Sequence, residues 1–234
     1  MQNTSEVWVS DVYFAQLNQG GGGGGSNVNL IEIDNSTSVT FSGVTSPQDY
    51  VTTGVNPSLS FFSITGSDNV LIEGLNTKDI YQVAAISDDG TSPVGRIMFR
   101  DFKVDLNSAN GRVGGAFTIT SDQGGGISTG VIFMNGHIHT RGTGDATNTF
   151  YFDSTSNPTV GGVSYAVLMN ISRTRDSGTN GTFILAGSNA ANGARIANLT
   201  MWDIHVSGQT TFLTDNAEQT KCFDCRNNGS DVSQ

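Results

Sequence analysis

The sequence has few cysteines, few charged residues and no long apolar run. Its 234 residues include only Cys222 and Cys225 as cysteines, so disulfides do not hold the body of the fold together. Charged residues make up 14% of the chain, against about a quarter in an ordinary globular protein. No apolar run approaches the roughly 18 residues of a transmembrane helix, and no basic segment followed by an apolar core is visible at the amino terminus.

The net charge is −10, which makes nucleic acid and anionic membrane surfaces poor partners. Glycine is abundant, at 30 residues, and Ser, Thr and Asn fill most of the polar positions. A polar but weakly charged surface of this kind is common on exposed stacked-strand proteins. We therefore expect no nucleic-acid partner and no insertion into a membrane.

A short strand-and-bend pattern recurs seven times along the chain. Apolar residues lie four and two positions before a bend residue and one position after it. The bends are Asp, Gly or Asn, which accept left-handed backbone at the lowest cost. They fall at Asp11, Gly43, Gly74, Asp101, Gly136, Asn170 and Asp203, at intervals of 27 to 35 residues. This periodicity predicts a repeat architecture across nearly the whole chain.

A second strand pattern lies within each period. Its paired apolar positions are Ile31/Ile33, Phe62/Ile64, Ala84/Ile86, Phe117/Ile119, Phe150/Phe152, Phe183/Leu185 and Thr210/Phe212. Two strands per period predict an all-β parallel solenoid of about seven coils, in which Phe117, Phe150 and Phe183 stack. We expect this solenoid over residues 1–216 and a C-terminal tail or cap over residues 217–234.

The strand-and-bend motif, as in Asn69-Val70-Leu71-Ile72-Glu73-Gly74-Leu75, resembles the right-handed parallel β-helix superfamily of pectate-lyase-like enzymes and bacteriophage tailspikes. The resemblance covers about nine-tenths of the chain and implies a single-stranded, right-handed helix. It implies no single function, since the fold hosts lyases, hydrolases, adhesins and inert shafts. No catalytic motif of the family matches residue by residue, and none is carried over.

Cationic residues cluster at and just after the bends. The candidate ligand-binding residues are Arg100, Lys103, His139, Arg141, Arg173 and Arg175. If Gly136 and Asn170 are bends, His139 lies over Arg173 and Arg141 over Arg175, an unfavourable stacking unless Asp105, Asp145 and Asp176 pair with them. The cluster is either a solvated mixed-charge edge or a site for an anionic glycan or another subunit's carboxylates.

His137 falls in an apolar column, which leaves two interpretations. It is a hydrogen-bonded core histidine, or Gly136 forms a bulge that turns Ile138 inward and both His137 and His139 outward. Two histidines without a third ligand do not indicate a metal, so we expect neither metal nor cofactor.

Two other groups of residues carry possible chemistry. The outward carboxylates Glu73 and Asp105 are candidates for glycan cleavage, but Glu73 is explained by an ion pair with Arg100 in the next coil. We therefore assign no catalytic residue. The lone Cys-x-x-Cys of Cys222 and Cys225 indicates a local disulfide or a pair of thiols rather than a zinc site.

The beginning of the chain suggests contact with a partner. The first repeat starts at Val7, which leaves little chain to cover the open end of the stack, and the glycine tract Gly20–Gly25 is suited either to a flexible loop or to a close contact with a neighbouring subunit. We expect a homo-oligomer or other virion proteins as partners.

The sequence as a whole favours a structural or adhesive protein, located in a virion or outside the cell, that resembles a phage tailspike or fibre and contacts surface glycans such as an anionic polysaccharide. Two alternatives stay open: a polysaccharide lyase or glycoside hydrolase, and the subunit of a self-stacking extracellular filament.

Overall fold

The structure is a computed structural model that describes residues 5–14, 28–46, 59–80, 82–88, 95–107, 115–121, 130–141, 148–154, 162–176, 181–186, 195–214 and 219–234. Within these ranges the fold is all-β, as the period-two alternation predicts. In the same ranges, no helix has the length and apolarity needed to cross a membrane. Gly20–Gly25 and Asp145 lie outside the described residues.

The described residues form 18 strands. In chain order they are β1 (Ser5–Ser10), β2 (Val28–Asp34), β3 (Thr37–Ser42), β4 (Thr45–Ser46), β5 (Leu59–Thr65), β6 (Asp68–Glu73), β7 (Asn76–Ile80), β8 (Gln82–Ser87), β9 (Arg96–Asn107), β10 (Gly115–Ser121), β11 (Gly130–Arg141), β12 (Asn148–Ser154), β13 (Gly162–Arg175), β14 (Thr182–Ala186), β15 (Arg195–Val206), β16 (Thr211–Thr214), β17 (Gln219–Asn227) and β18 (Ser230–Asp231).

The strands form two sheets whose neighbours are alternate elements of the chain. The larger sheet has the order β1-β3-β6-β9-β11-β13-β15-β17-β18, with β4 and β7 paired beside this path. The smaller sheet has the order β16-β14-β12-β10-β8-β5-β2. The pairing is parallel except between β17 and β18, where it is antiparallel. Coils that each contribute a strand to both sheets, stacked in parallel, make a β-solenoid.

The solenoid has about four turns, fewer than the seven coils predicted from the repeat. The smaller sheet nevertheless stacks seven strands. The count of stacked strands and the count of turns therefore do not coincide.

The inward side chains of both sheets form one apolar core. In the smaller sheet, the ring centroids of Phe117 and Phe150 are 5.2 Å apart and those of Phe150 and Phe183 are 5.4 Å apart, which confirms the predicted aromatic ladder. The register differs at β14, where Phe150 pairs with Ile184 rather than with Phe183. As a result Leu185, predicted to point inward, is only half-buried.

The bends of the larger sheet are left-handed, with φ between 51° and 70°. They fall at Asp11, Gly43, Gly74, Asp101, Asn135, Asn170, Asp203 and Asp224. Six of the seven predicted bends are confirmed. The fifth lies at Asn135 rather than Gly136, and Asp224 adds an eighth that the sequence analysis missed.

Because the bend lies at Asn135, the neighbouring residues of β11 point to the opposite side of the sheet from the predicted one. Phe133 pairs with Phe99 inside the solenoid, so Met134 points outward instead of inward. Gly136 then lies in the inner column opposite Phe102, and a Cβ on Gly136 would meet Cζ of that ring at 2.1 Å. Gly136 is therefore a packing glycine that makes room for Phe102. The wrong bend assignment came from treating its lack of a side chain as a turn signal.

The last long strand of the larger sheet, β17, continues the repeat. Cys222 pairs with Met201, and Cys225 pairs with Ile204, so both cysteines occupy inner columns on either side of the bend at Asp224. They form a disulfide with a Cα–Cα distance of 5.9 Å. The chain then folds back, and the Gln234 amide donates to the Cys222 carbonyl at 2.9 Å. The final residues thus cover the free edge of β17.

Candidate functional site

A group of outward polar side chains lies on β9, β11 and β13 after their bends. Strand pairing places Lys103, His137 and Ser172 in one outward column and Asp105, His139 and Thr174 in the next. Alternation along each strand sends Val104 and Ile138 inward, which leaves these residues on the outer face. We name the group the outer polar cluster. Its members are Lys103, Asp105, His137, His139, Arg141, Ser172, Thr174 and Asp176.

Two imidazoles of the cluster are held by hydroxyl groups of the neighbouring strand. His137 Nδ1 lies 2.8 Å from Ser172 Oγ, and His139 Nδ1 lies 2.9 Å from Thr174 Oγ1. His139 Nε2 also lies 3.0 Å from a carboxylate oxygen of Asp176. Both rings therefore have fixed orientations, and His139 links a hydroxyl to a carboxylate.

The environment of His137 favours its neutral form. Burial lowers the pKa of His137, and the nearby positive groups of His139 and Lys103 lower it further. Asp105 opposes this shift in the pKa. His137 is therefore a neutral hydrogen-bonding group at pH 7, able to donate or accept according to its tautomer.

Of the two interpretations of His137, the outward one is confirmed. Ile138 is fully buried and His137 is half-buried on the outer side of the sheet. The cause is the bend at Asn135, one residue earlier than the bulge expected at Gly136.

Arg141 and Asp105 form an ion pair within the cluster. Arg141 donates from Nε at 2.9 Å and from Nη2 at 2.6 Å, both to Oδ2 of Asp105. Two charge-assisted bonds to one carboxylate fix both side chains. Asp105 is therefore unsuited to serve as a free general acid or base.

Arg100 lies one column away, on the other side of the bend. It donates to a carboxylate oxygen of Glu73, which confirms the predicted ion pair between adjacent strands. This hydrogen bond raises the pKa of Arg100. Glu73 and Arg100 satisfy each other, and neither is free for catalysis.

Arg173, predicted as a surface ligand-binding residue, points inward. It pairs with Ile138 on one side and Val206 on the other and is 1% exposed. It donates to the Ser207 carbonyl at 3.0 Å and to Thr140 Oγ1 at 3.1 Å. Burial, with a contribution from Arg175, lowers the pKa of Arg173 to about 9.

The expected stacking of like charges is also wrong. His139 pairs with Thr174 instead of Arg173, and Arg175 pairs with Thr140 instead of Arg141. The shift of the bend to Asn135 displaces β11 by one residue relative to the predicted register. Arg175 is half-buried beside Gly208, away from the cluster centre.

A second group that the sequence analysis missed lies at the C-terminal end of the larger sheet. Asp203, His205 and Asp224 have ligand atoms that all lie within 4.8 Å of one another. His205 Nε2 is 2.9 Å from Oδ1 of Asp203, whereas Asp224 lies 3.6 Å from Nε of Arg226. The missed bend at Asp224 is the signal that could have predicted this juxtaposition.

Comparison with protein-family models, with curated proteins and with solved structures finds no match for the chain. The fold and the described side chains therefore define the class: an all-β parallel solenoid with an ordered polar cluster on its outer face.

Proposed function

We propose that the protein is a structural or adhesive β-solenoid of a virion, similar to a tailspike or fibre, that binds an anionic polysaccharide through the outer polar cluster. The proposal includes a right-handed winding, the hand that parallel crossover connections adopt. The likeness of the strand-and-bend repeat to the parallel β-helix superfamily supports the virion assignment.

The observation that carries the binding role is the ordered mixture of donors and acceptors in the cluster. Lys103 is exposed and has no salt-bridge partner in the described residues, so its ammonium is free to meet a carboxylate. The neighbouring imidazole of His137 is held at Nδ1 by Ser172, so its Nε2 can bind a sugar hydroxyl without the ring losing much conformational entropy.

Binding of polygalacturonate, compared with its methyl-esterified form, tests the proposal. We expect the acidic polymer to bind more tightly, and Lys103→Ser to weaken its binding by about 2- to 5-fold, as for one exposed charge pair. Lys221→Ser is the matched control, because Lys221 is also exposed but lies on β17, two strands beyond β13 and the cluster. Equal binding of the two polymers, or equal loss in both variants, would contradict the proposal.

A catalytic alternative is favoured by one specific contact, the chain from Thr174 through His139 to Asp176. A hydroxyl, an imidazole and a carboxylate in line can move a proton, as a polysaccharide lyase or hydrolase requires. Release of unsaturated uronates or new reducing ends from polygalacturonate, lost in His139→Gln, would support the enzyme. Intact polymer after long incubation would support the adhesive function.

A partner contact is favoured at the edge of β1. Trp8 is 76% exposed and Tyr13 is 62% exposed at this end, and within the described residues β1 pairs with β3 alone. An unpaired strand edge with exposed aromatic residues is suited to a homo-oligomer, to another virion protein or to a filament. Native mass spectrometry tests this: Trp8→Ser and Tyr13→Ser should shift an oligomer towards monomer.

A further inference from the structure

The last two long strands of the larger sheet, β15 and β17, display three pairs of side chains side by side on the outer face. Trp202 pairs with Phe223 and His205 pairs with Arg226, while Asp203 and Asp224 lie between them at the bends. We name this group the terminal patch. Its members are Trp202, Phe223, Asp203, Asp224, His205 and Arg226.

The aromatic pair is exposed although the core is complete without it. Trp202 is 56% exposed and Phe223 is 46% exposed, with ring centroids 5.5 Å apart and planes inclined by 45°. At the other end of the sheet, the same column carries Ser10 and Ser42. The strands therefore do not require aromatic residues here, and large exposed rings are a mark of binding surfaces.

The two carboxylates are fixed beside the rings. Both residues have left-handed backbone, with φ of 55° at Asp203 and 51° at Asp224. They are therefore members of the column of bends that runs across the larger sheet. The disulfide between Cys222 and Cys225 encloses Asp224. Since the ligand atoms of Asp203, His205 and Asp224 all lie within 4.8 Å, the two negative charges act on one small volume.

We propose that the terminal patch binds a quaternary ammonium group of the choline type. Such a cation is attracted by the faces of aromatic rings, as in choline-binding cages, and Trp is the most effective of the aromatic side chains. The carboxylates of Asp203 and Asp224 add charge attraction without the need for hydrogen bonds, which a quaternary ammonium cannot donate. A hydrated divalent ion would use the carboxylates and His205 but gains nothing from the two rings.

The third pair of the patch, His205 and Arg226, is suited to a ligand larger than an ammonium group. His205 and Arg226 lie on the far side of the carboxylates from the rings, two residues after each bend. His205 Nε2 contacts Asp203 and Arg226 Nε lies 3.6 Å from Asp224, so the donors that suit a phosphate next to the ammonium group are Nδ1 of His205 and the Nη atoms of Arg226. Phosphocholine is therefore the fuller ligand. The inference uses none of the residues of the outer polar cluster, so it stands or fails independently of polysaccharide binding.

Tryptophan fluorescence tests the inference. The chain has 2 tryptophans, so Trp8→Phe leaves Trp202 as the single reporter. In this background we expect a saturable fluorescence change with choline, tetramethylammonium and phosphocholine. The double variant Asp203→Asn, Asp224→Asn should weaken choline binding about 10-fold. Asp101→Asn is the matched control, since Asp101 is a bend carboxylate of the same column but follows Arg100, which pairs with Glu73, instead of an aromatic residue.

The basic pair has its own readout. Arg226→Gln should weaken phosphocholine binding but not choline binding, because Arg226 offsets the charge of Asp224 that attracts the ammonium group. Circular dichroism and thermal unfolding check that each variant is folded. Because Trp202→Leu removes the fluorescent reporter, choline binding to that variant is measured by isothermal titration calorimetry. The inference would be overturned if choline gave no saturable response, or if zinc chloride gave a response and the ammonium ligands gave none. Equal affinity for choline in the protein with and without the two carboxylate substitutions would also overturn it.

Discussion

Ile138 on β11 pairs with Arg173 on the neighbouring strand β13. The two residues occupy equivalent inward positions, one filled by an aliphatic side chain and the other by a guanidinium. Val206 is the partner of Arg173 on the other side, and both apolar neighbours are buried. No carboxylate among the described residues contacts Arg173, and its Nε has no hydrogen-bond partner there. The charge is therefore desolvated with little compensation.

This relationship predicts that Arg173→Met is tolerated better than Arg173→Ala. Methionine fills the column without a buried charge, and such replacements are neutral or stabilising by about 1–4 kcal/mol. Alanine leaves a cavity and should cost about 2 kcal/mol or more. Urea unfolding measures both free energies. Equal destabilisation by the two substitutions would show that the hydrogen bonds to Ser207 and Thr140 outweigh the desolvation of the charge.

His137 predicts a pH dependence of stability. Its pKa in the folded protein is below the ordinary 6.5, so between that lowered value and 6.5 the unfolded chain binds more protons. The free energy of unfolding therefore rises with pH through this window and falls on acidification. The effect should stay under about 1 kcal/mol, because the ring is partly solvated.

Unfolding of wild type and His137→Gln at pH 7 and pH 5 measures this term. Glutamine retains a hydrogen-bonding group for Ser172 but does not titrate, so the variant should lose less stability on acidification. An identical pH dependence in wild type and His137→Gln would contradict the assignment.

The parallel solenoid and most of its bends could be predicted because each depends on residues close in sequence. The fifth bend could not, since Asn135 and Gly136 both accept left-handed backbone. The choice between them depends on Phe102, which is distant in sequence and whose ring fills the space beside Gly136. A shift of one residue then reverses inside and outside along β11, and this error placed Met134 in the inner column.

Gly136 therefore provides a direct test of the packing. Gly136→Ala should destabilise the protein by about 1–3 kcal/mol, because the new Cβ overlaps the ring of Phe102. In the background of Phe102→Leu, the same substitution should cost less. A double-mutant cycle measured by thermal unfolding gives this coupling. Additive effects of the two substitutions would show that Phe102 is not the reason for glycine at this position.

The strand β17 lies within the segment predicted as a C-terminal tail or cap, and its residues carry the repeat. Cys222 and Cys225 lie two before and one after the bend Asp224, the positions that Met201 and Ile204 occupy around Asp203. Cysteine behaves as a small apolar residue when buried, and recognising this would have revealed the eighth bend. The terminal patch depends on this register and was missed with it.

The disulfide of this strand should contribute modestly to stability. It closes a loop of four residues, for which the chain-entropy relation gives about 2 kcal/mol. The double variant Cys222→Ala, Cys225→Ala should therefore lose about 2 kcal/mol, plus a further cost for the missing sulfur atoms in the inner columns. Adding dithiothreitol to the wild-type protein separates the two contributions, since reduced cysteines still fill the columns. Reduction should lower the melting temperature of wild type and leave that of the double variant unchanged. A wild-type melting temperature unaffected by dithiothreitol, with the thiols shown to be reduced by alkylation, would contradict the prediction.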